Sequence, residues 1–179
     1  RDPEMSRGLG DVYKRQACFC VLGVSAQEWA VGGRVGSGFQ AQGEYHFSDT
    51  NYAEARFGMY YANPGGTVMA DLTALYNWNI FNMDWTPSVG EWFFDAGCGI
   101  NVGGRENYAY IGAAGCAKLG IKFHDAPIRL SFDWTPSFGA EIAYWSGQTV
   151  GGYKIKGGSS SDFNEYGLCN FGISCVYCF

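Results

Sequence analysis

The chain has 179 residues, a net charge of −5, 47% hydrophobic and 17% aromatic content, 27 Gly and five Pro. Charged residues make up 16%, below the globular average of about 25%. No apolar run approaches the roughly 18 residues of a spanning helix, and the acidic balance offers no electrostatic footprint for nucleic acid. Abundant aromatic and Gly residues without helical periodicity predict an all-β chain.

Residues 1–16 carry four of the twelve basic residues and no usable periodicity. The string Asp11-Val12-Tyr13-Lys14-Arg15-Gln16 reads as a translation of a transposon end used in sequencing libraries (GAT GTG TAT AAG AGA CAG). We expect 1–16 to be adapter-derived and non-native. A genuine basic leader would need a Met followed directly by positive charge, which Met5 offers only loosely. Residues 17–26 (ACFCVLGVSA) combine an apolar run with a small-residue cleavage site at Val24-Ser25-Ala26, as in the tail of a cleaved secretory signal. Neither Cys18 nor Cys20 follows the Leu-small-small pattern of a lipoprotein signal. A single domain is expected over 27–179.

From there the chain alternates with period two, the pattern of half-buried strands. Ala30 to Val35 begins the first strand, and Gly36-Ser37-Gly38 is a tight turn. Phe39, Ala41, Gly43, Tyr45 and Phe47 then alternate with Gln40, Gln42, Glu44 and His46. A turn at Ser48–Asn51 follows. Ala53 to Tyr61 and Val68 to Ile80 are the next strands, separated by Asn63-Pro64-Gly65-Gly66. The region 82–89 is expected to be a turn. The longest pattern runs from Glu91 to Phe123, a hairpin broken at Arg105-Glu106-Asn107. Its apolar face holds Trp92, Phe94, Ala96, Cys98, Ile100, Ile111, Leu119 and Ile121; the other face is Gly-rich or charged. Each arm exceeds the usual five or six residues of a strand. His124–Pro127 turns into a strand from Ile128, and a Gly/Ser/Lys loop is expected over 144–162. The last strand runs through Phe171, Ile173, Cys175, Tyr177 and Phe179. The pentapeptide DWTPS occurs at 84–88 and 133–137 and reads as an echo, not a repeat.

The count is eight, and the expected fold is an all-β, eight-stranded antiparallel up-and-down transmembrane β-barrel. Even strand numbers are the rule for single-chain bacterial barrels. One face carries Arg34, Glu44, Glu54, Arg56, Asp71, Glu91, Asp95, Lys118, Lys122, Arg129 and Asp133, interspersed with Gly. Small residues with paired charges suit the narrow interior of eight strands. The apolar face has aromatics near strand ends (Tyr45, Phe47, Trp78, Trp92, Phe123, Trp134, Tyr177, Phe179), as interfacial girdles require. Lipid is therefore expected outside and a structural charge network inside. On this reading the turns at 36–38, 63–67 and 104–108 and the loop 144–162 face the exterior.

Other motifs read blandly. Cys175-Val176-Tyr177-Cys178 is a CxxC, but residues three apart on a strand face opposite sides, so no metal or redox role is expected. Gly36-Ser37-Gly38-Phe39-Gln40-Ala41 formally fits a dinucleotide fingerprint, yet no helix follows it. His46 and His124 map to the inner-side rim, away from the outer edge where a lipid-modifying enzyme would need a histidine. No catalytic, metal or cofactor site is predicted. Loop 144–162 presents Tyr144, Trp145, Tyr153, Lys154 and Lys156, amphipathic and cationic groups suited to surface contacts.

The terminal Tyr177-Cys178-Phe179, with apolar residues at alternate positions before it, resembles the assembly signal of outer-membrane barrels. With the ARFG and RLSFDWTP strands, residues 27–179 resemble the small eight-stranded outer-membrane β-barrel (porin-like) family of Gram-negative bacteria. The resemblance implies export, residence in the outer membrane of the cell envelope, contact with its lipid, and delivery to the barrel assembly machinery through the strand ending Phe179. Val176 and Cys178 depart from it, standing at inward positions where the family often carries polar or basic residues. The expected role is structural or surface-interacting and non-enzymatic. The alternatives are a soluble lipocalin-like carrier of a hydrophobic ligand and, behind it, a lipid-modifying outer-membrane enzyme.

Overall fold

The computed structural model describes residues 28–61, 68–145, 148–150, 153–155, 158–166 and 168–179. The expected adapter segment 1–16, the signal remnant 17–26 and the turn at 63–67 lie outside the described residues. In chain order the strands are β1 (Trp29–Gly36), β2 (Gly38–Ser48), β3 (Asn51–Tyr61), β4 (Val68–Thr86), β5 (Gly90–Arg105), β6 (Tyr108–Phe123), β7 (Ile128–Trp134), β8 (Ser137–Trp145), β9 (Gln148–Val150), β10 (Tyr153–Ile155), β11 (Gly158–Tyr166) and β12 (Phe171–Cys178).

Ten of the twelve described strands make eight staves. β1 to β6 each pair antiparallel with the next. β6 then pairs with β7 through Ala117–Lys122 and with β8 through Tyr108–Ala114, so β7 and β8 are one interrupted stave. β11 pairs with β8 and β12 with β7, forming the last stave, and β12 pairs with β1 to close the ring. The result is a closed, eight-stranded, antiparallel up-and-down barrel, with β9 and β10 as a separate two-stranded hairpin. The break in the seventh stave falls at Thr135-Pro136, where proline has no N–H for the ladder. Its carbonyl still accepts from Gly115 N–H at 2.8 Å, and Thr135 N–H reaches Asn170 O at 2.9 Å.

Two expected boundaries are corrected. The region 82–89 is mostly strand: β4 continues to Thr86, with Met83 opposite Trp92 and Thr86 opposite Gly90. Bulges between Asn79 and Phe81 and between Met83 and Thr86 break the alternation that marks a strand, and the first sends both Ile80 and Phe81 outward. The loop 144–162 is shorter at both ends. β8 runs to Trp145, and Gly158 to Tyr166 pair with it. Ser159-Ser160-Ser161 has no apolar alternation to betray a strand, and its backbone groups are satisfied by pairing with Ile142, Ala143 and Tyr144.

The register fixes the barrel's shape. From Gly32, the paired residues Gln42, Arg56 and Thr73 lead to Asn101 on β5. The other way round, Val176, Arg129 and Lys122 lead to Glu91 on the same strand, ten residues from Asn101. A stagger of ten over eight strands tilts them by about 40° and makes an interior narrow enough for side chains to fill.

The two faces are inverted relative to a water-soluble barrel with an apolar lumen. Val35, Phe39, Phe57, Leu72, Ile100, Ile111, Phe132 and Ile173 point outward and are exposed. Arg34, Glu44, Glu54, Arg56, Asp71, Asp95, Lys118 and Asp133 point inward and are buried. The buried apolar cluster is small, comprising Leu75, Ala114 and Cys116. Around the rim where the chain ends, rings run from Trp29 to Tyr45, Phe47, Tyr76 and Trp78 with successive centroid distances of 5.0, 5.0, 5.8 and 4.9 Å.

Candidate functional site

Alternation aims one residue in two at the axis, and the inward charges from different staves meet there. Arg129 on β7 donates from Nη2 to Asp95 Oδ2 at 3.0 Å and from Nη1 to Glu44 Oε2 at 2.8 Å. Lys118 on β6 joins Glu44, at 3.3 Å, to Glu54, at 2.5 Å. Arg56 donates from Nε to Glu54 at 2.5 Å and from Nη1 to Asp133 at 3.3 Å. Arg34 on β1 reaches the same Asp133 oxygen at 2.8 Å, while Ser174 on β12 donates to the other at 2.8 Å. Arg34 Nη1 then donates to Gln40 Oε1 at 3.3 Å, and Gln40 Nε2 donates to Asp71. Asp95, Arg129, Glu44, Lys118, Glu54, Arg56, Asp133 and Arg34 thus alternate in sign along one continuous series, extended through a neutral amide to Asp71.

Asp71 has no cationic partner among the described residues. Its carboxylate accepts from Asn101 Nδ2 at 2.6 Å and Tyr110 OH at 2.9 Å, besides Gln40. Neutral donors hold it as they would a capped anion. Of the eleven charges in the expected network, Glu91 and Lys122 stand apart: they face each other in register on β5 and β6 but remain exposed at the mouth. Sequence reasoning passed over the neutral members. Tyr52 donates to Asp95 at 2.7 Å, Asn77 to Glu54 at 2.7 Å, and Thr135 accepts from Arg56 at 2.9 Å. Gln40, Asn77 and Asn101 share the parity of the charges, and that signal could have found them.

A cavity of about 460 Å³ opens at the chain-end mouth. Its floor is Arg129, whose guanidinium carbon lies 4.4 Å from the Phe93 ring centroid and 5.2 Å from that of Tyr52. His46 stacks on Tyr52 at 4.6 Å, and its Nε2 lies 3.2 Å from Glu44 and 3.3 Å from Arg129. Around the wall stand Glu28, Asp49, Asn79, Asn82, Glu91, Lys122 and Cys178. His124 is exposed beyond β6. Among the described residues no group of three or more His, Cys, Asp or Glu side chains could hold a metal ion.

Of the expected loop contacts, Tyr144 and Trp145 end β8 and are exposed. The side chains of Tyr153 and Lys154, and Lys156 altogether, lie outside the described residues. Cys98, Cys116, Cys169, Cys175 and Cys178 are free thiols. Cys98 faces out and Cys116 in, as their parity requires. Val176, at its inward position, is buried.

No family model matches the chain, and no curated protein matches it.

Proposed function

We propose that this chain is an integral outer-membrane β-barrel of the small eight-stranded kind, with a structural or surface-interaction role and no enzymatic one. The observation that carries the reading is the inversion of polarity: a continuous apolar exterior around an interior of buried, mutually paired charges. Water is a poor solvent for the outside of such a barrel, and hydrocarbon is a good one. A lipocalin-like carrier needs the opposite arrangement, with apolar side chains lining the cavity. The aromatic chain along the chain-end rim suits the headgroup level, where rings with a polar edge are favoured.

In this reading the apolar belt anchors the protein, and the charged series crosses the lumen from stave to stave and plugs it to solutes. The segment 144–162 is the part presented outside. The C-terminal strand ending Phe179 engages the assembly machinery. His46 is committed to Glu44, Arg129 and Tyr52, which favours a packing role over catalysis.

The test is gel mobility, cold against boiled, of residues 27–179 refolded into detergent micelles. A heat-modifiable band that forms only with detergent is the expected result. A folded, monodisperse protein in plain buffer would overturn the reading. In planar bilayers the protein should show no large, steady conductance steps.

A further inference from the structure

The charged series leaves three groups at the chain-end mouth unused. Asp49 in the β2–β3 turn, Glu91 on β5 and Lys122 on β6 make no side-chain hydrogen bond or ion pair with any described residue, and all three line the 460 Å³ cavity. Glu91 and Lys122 face each other in register, yet do not close on one another. Behind them is Arg129, which is held rigidly by Glu44 and Asp95 and keeps 11% of its side chain exposed. Arginine carries five N–H donors; the carboxylates of Glu44 and Asp95 take two of them, and Nη1 also lies 3.3 Å from His46 Nε2.

A cavity with unpaired charge of both signs discriminates among ligands. A simple polycation would meet Asp49 and Glu91 but be opposed by Lys122 and Arg129. A simple anion would be opposed by Asp49, Glu91 and Glu28, the last accepting from the neutral Tyr45 hydroxyl. A molecule bearing an ammonium and a carboxylate a few bonds apart satisfies all of them. The volume lies within the roughly 300–1,000 Å³ of small-molecule sites, and Phe93 and Tyr52 offer apolar walls. We propose that the chain-end mouth binds a small zwitterion, an amino acid or short peptide with both termini free. Its ammonium goes to Asp49 and Glu91 and its carboxylate to Lys122 and the free edge of Arg129. The proposal uses only groups at the barrel's mouth and holds whether the outside meets lipid or water.

The experiment is calorimetric titration of the folded chain with L-alanyl-L-alanine, its N-acetyl form and its C-terminal amide. The free dipeptide should bind, and each blocked form should bind about tenfold more weakly or worse, the loss of one charge-assisted contact. Lys122→Met should abolish discrimination against the amide, and Glu91→Gln should reduce discrimination against the N-acetyl form. Both residues are exposed and outside the buried series, and cold gel mobility checks that the variants fold. No binding of the free dipeptide at millimolar concentration would overturn the proposal. So would equal binding of the blocked forms, or tighter binding of spermidine than of the dipeptide.

Discussion

Glu44 on β2 and Glu54 on β3 stand directly opposite one another in the ladder, and both are buried inside the barrel. Like charges in that position repel. The fold tolerates them because Lys118 arrives from β6 and donates to both, while Arg129 takes the other oxygen of Glu44 and Arg56 the other oxygen of Glu54. A repulsive pair between neighbours thereby becomes a tie between staves that do not touch through the backbone. Replacing Lys118 with Met leaves two buried carboxylates short of a cation. We expect Lys118→Met to destabilise the folded barrel by about 3–5 kcal/mol, the scale of a broken buried pair. Adding Glu54→Gln should restore much of the loss, since it removes one orphaned charge. Urea unfolding in lipid vesicles measures both. A loss below about 1 kcal/mol for the single variant would mean that Lys118 does not carry this tie.

Gly172 makes room for Arg34. A Cβ at that position would sit 2.5 Å from the guanidinium carbon of Arg34 and 2.6 Å from its Nε, the atom that donates to Asp133. Gly172→Ala should therefore force Arg34 from its partner, at a cost of about 1–3 kcal/mol for overpacking. In an Arg34→Ala background the same substitution should cost far less, because the obstructed group is gone. The coupling energy of that double-mutant cycle is the readout. Additive effects would show that the clash is relieved elsewhere.

Parity carried most of this architecture in the sequence. Alternation alone aims Arg34, Glu54, Asp71, Lys118 and Asp133 to one side, and the structure buries all five. It could not show which charge meets which. Partners such as Lys118 and Glu54, 64 positions apart, are joined by a stagger that no local pattern reports. Alternation also fails where bulges reset it, as at Ile80-Phe81, and where a strand leaves the apolar belt, as at Ser159-Ser160-Ser161. There the side chains have no face to prefer, and only pairing with β8 makes the segment a strand. The mouth was hidden for a different reason. Glu91 and Lys122 share the parity of the buried charges, and only their closeness to the expected turns at 82–89 and 124–127 marks their depth along the axis.

Phe57 lies at the middle of β3 and is 64% exposed. On a protein surrounded by water, changing such a residue to Arg would alter stability by about 0.5 kcal/mol or less. On a lipid-facing surface the guanidinium must be placed in hydrocarbon, at about 2–4 kcal/mol near the midplane. We expect Phe57→Arg to show the larger penalty in unfolding titrations from phospholipid vesicles. A near-neutral result would count against a bilayer around this part of β3.

Cys98 and Cys116 give a matched pair of probes on neighbouring strands. Cys98 is exposed on the outer face opposite Tyr76 and Gly115, and Cys116 is buried beside Arg56 and Thr135. With the other cysteines replaced by Ala, a nitroxide attached at Cys98 samples the medium outside the barrel. In vesicles it should relax readily with molecular oxygen, which concentrates in hydrocarbon, and be shielded from a water-soluble nickel chelate. The reverse preference would place water against this face. Cys116 should resist the same reagent until the barrel is unfolded, because the thiol is enclosed by the charged series. Rapid labelling of Cys116 in the folded state would instead mean that the lumen admits a molecule of that size, and the plugged interior would have to be given up.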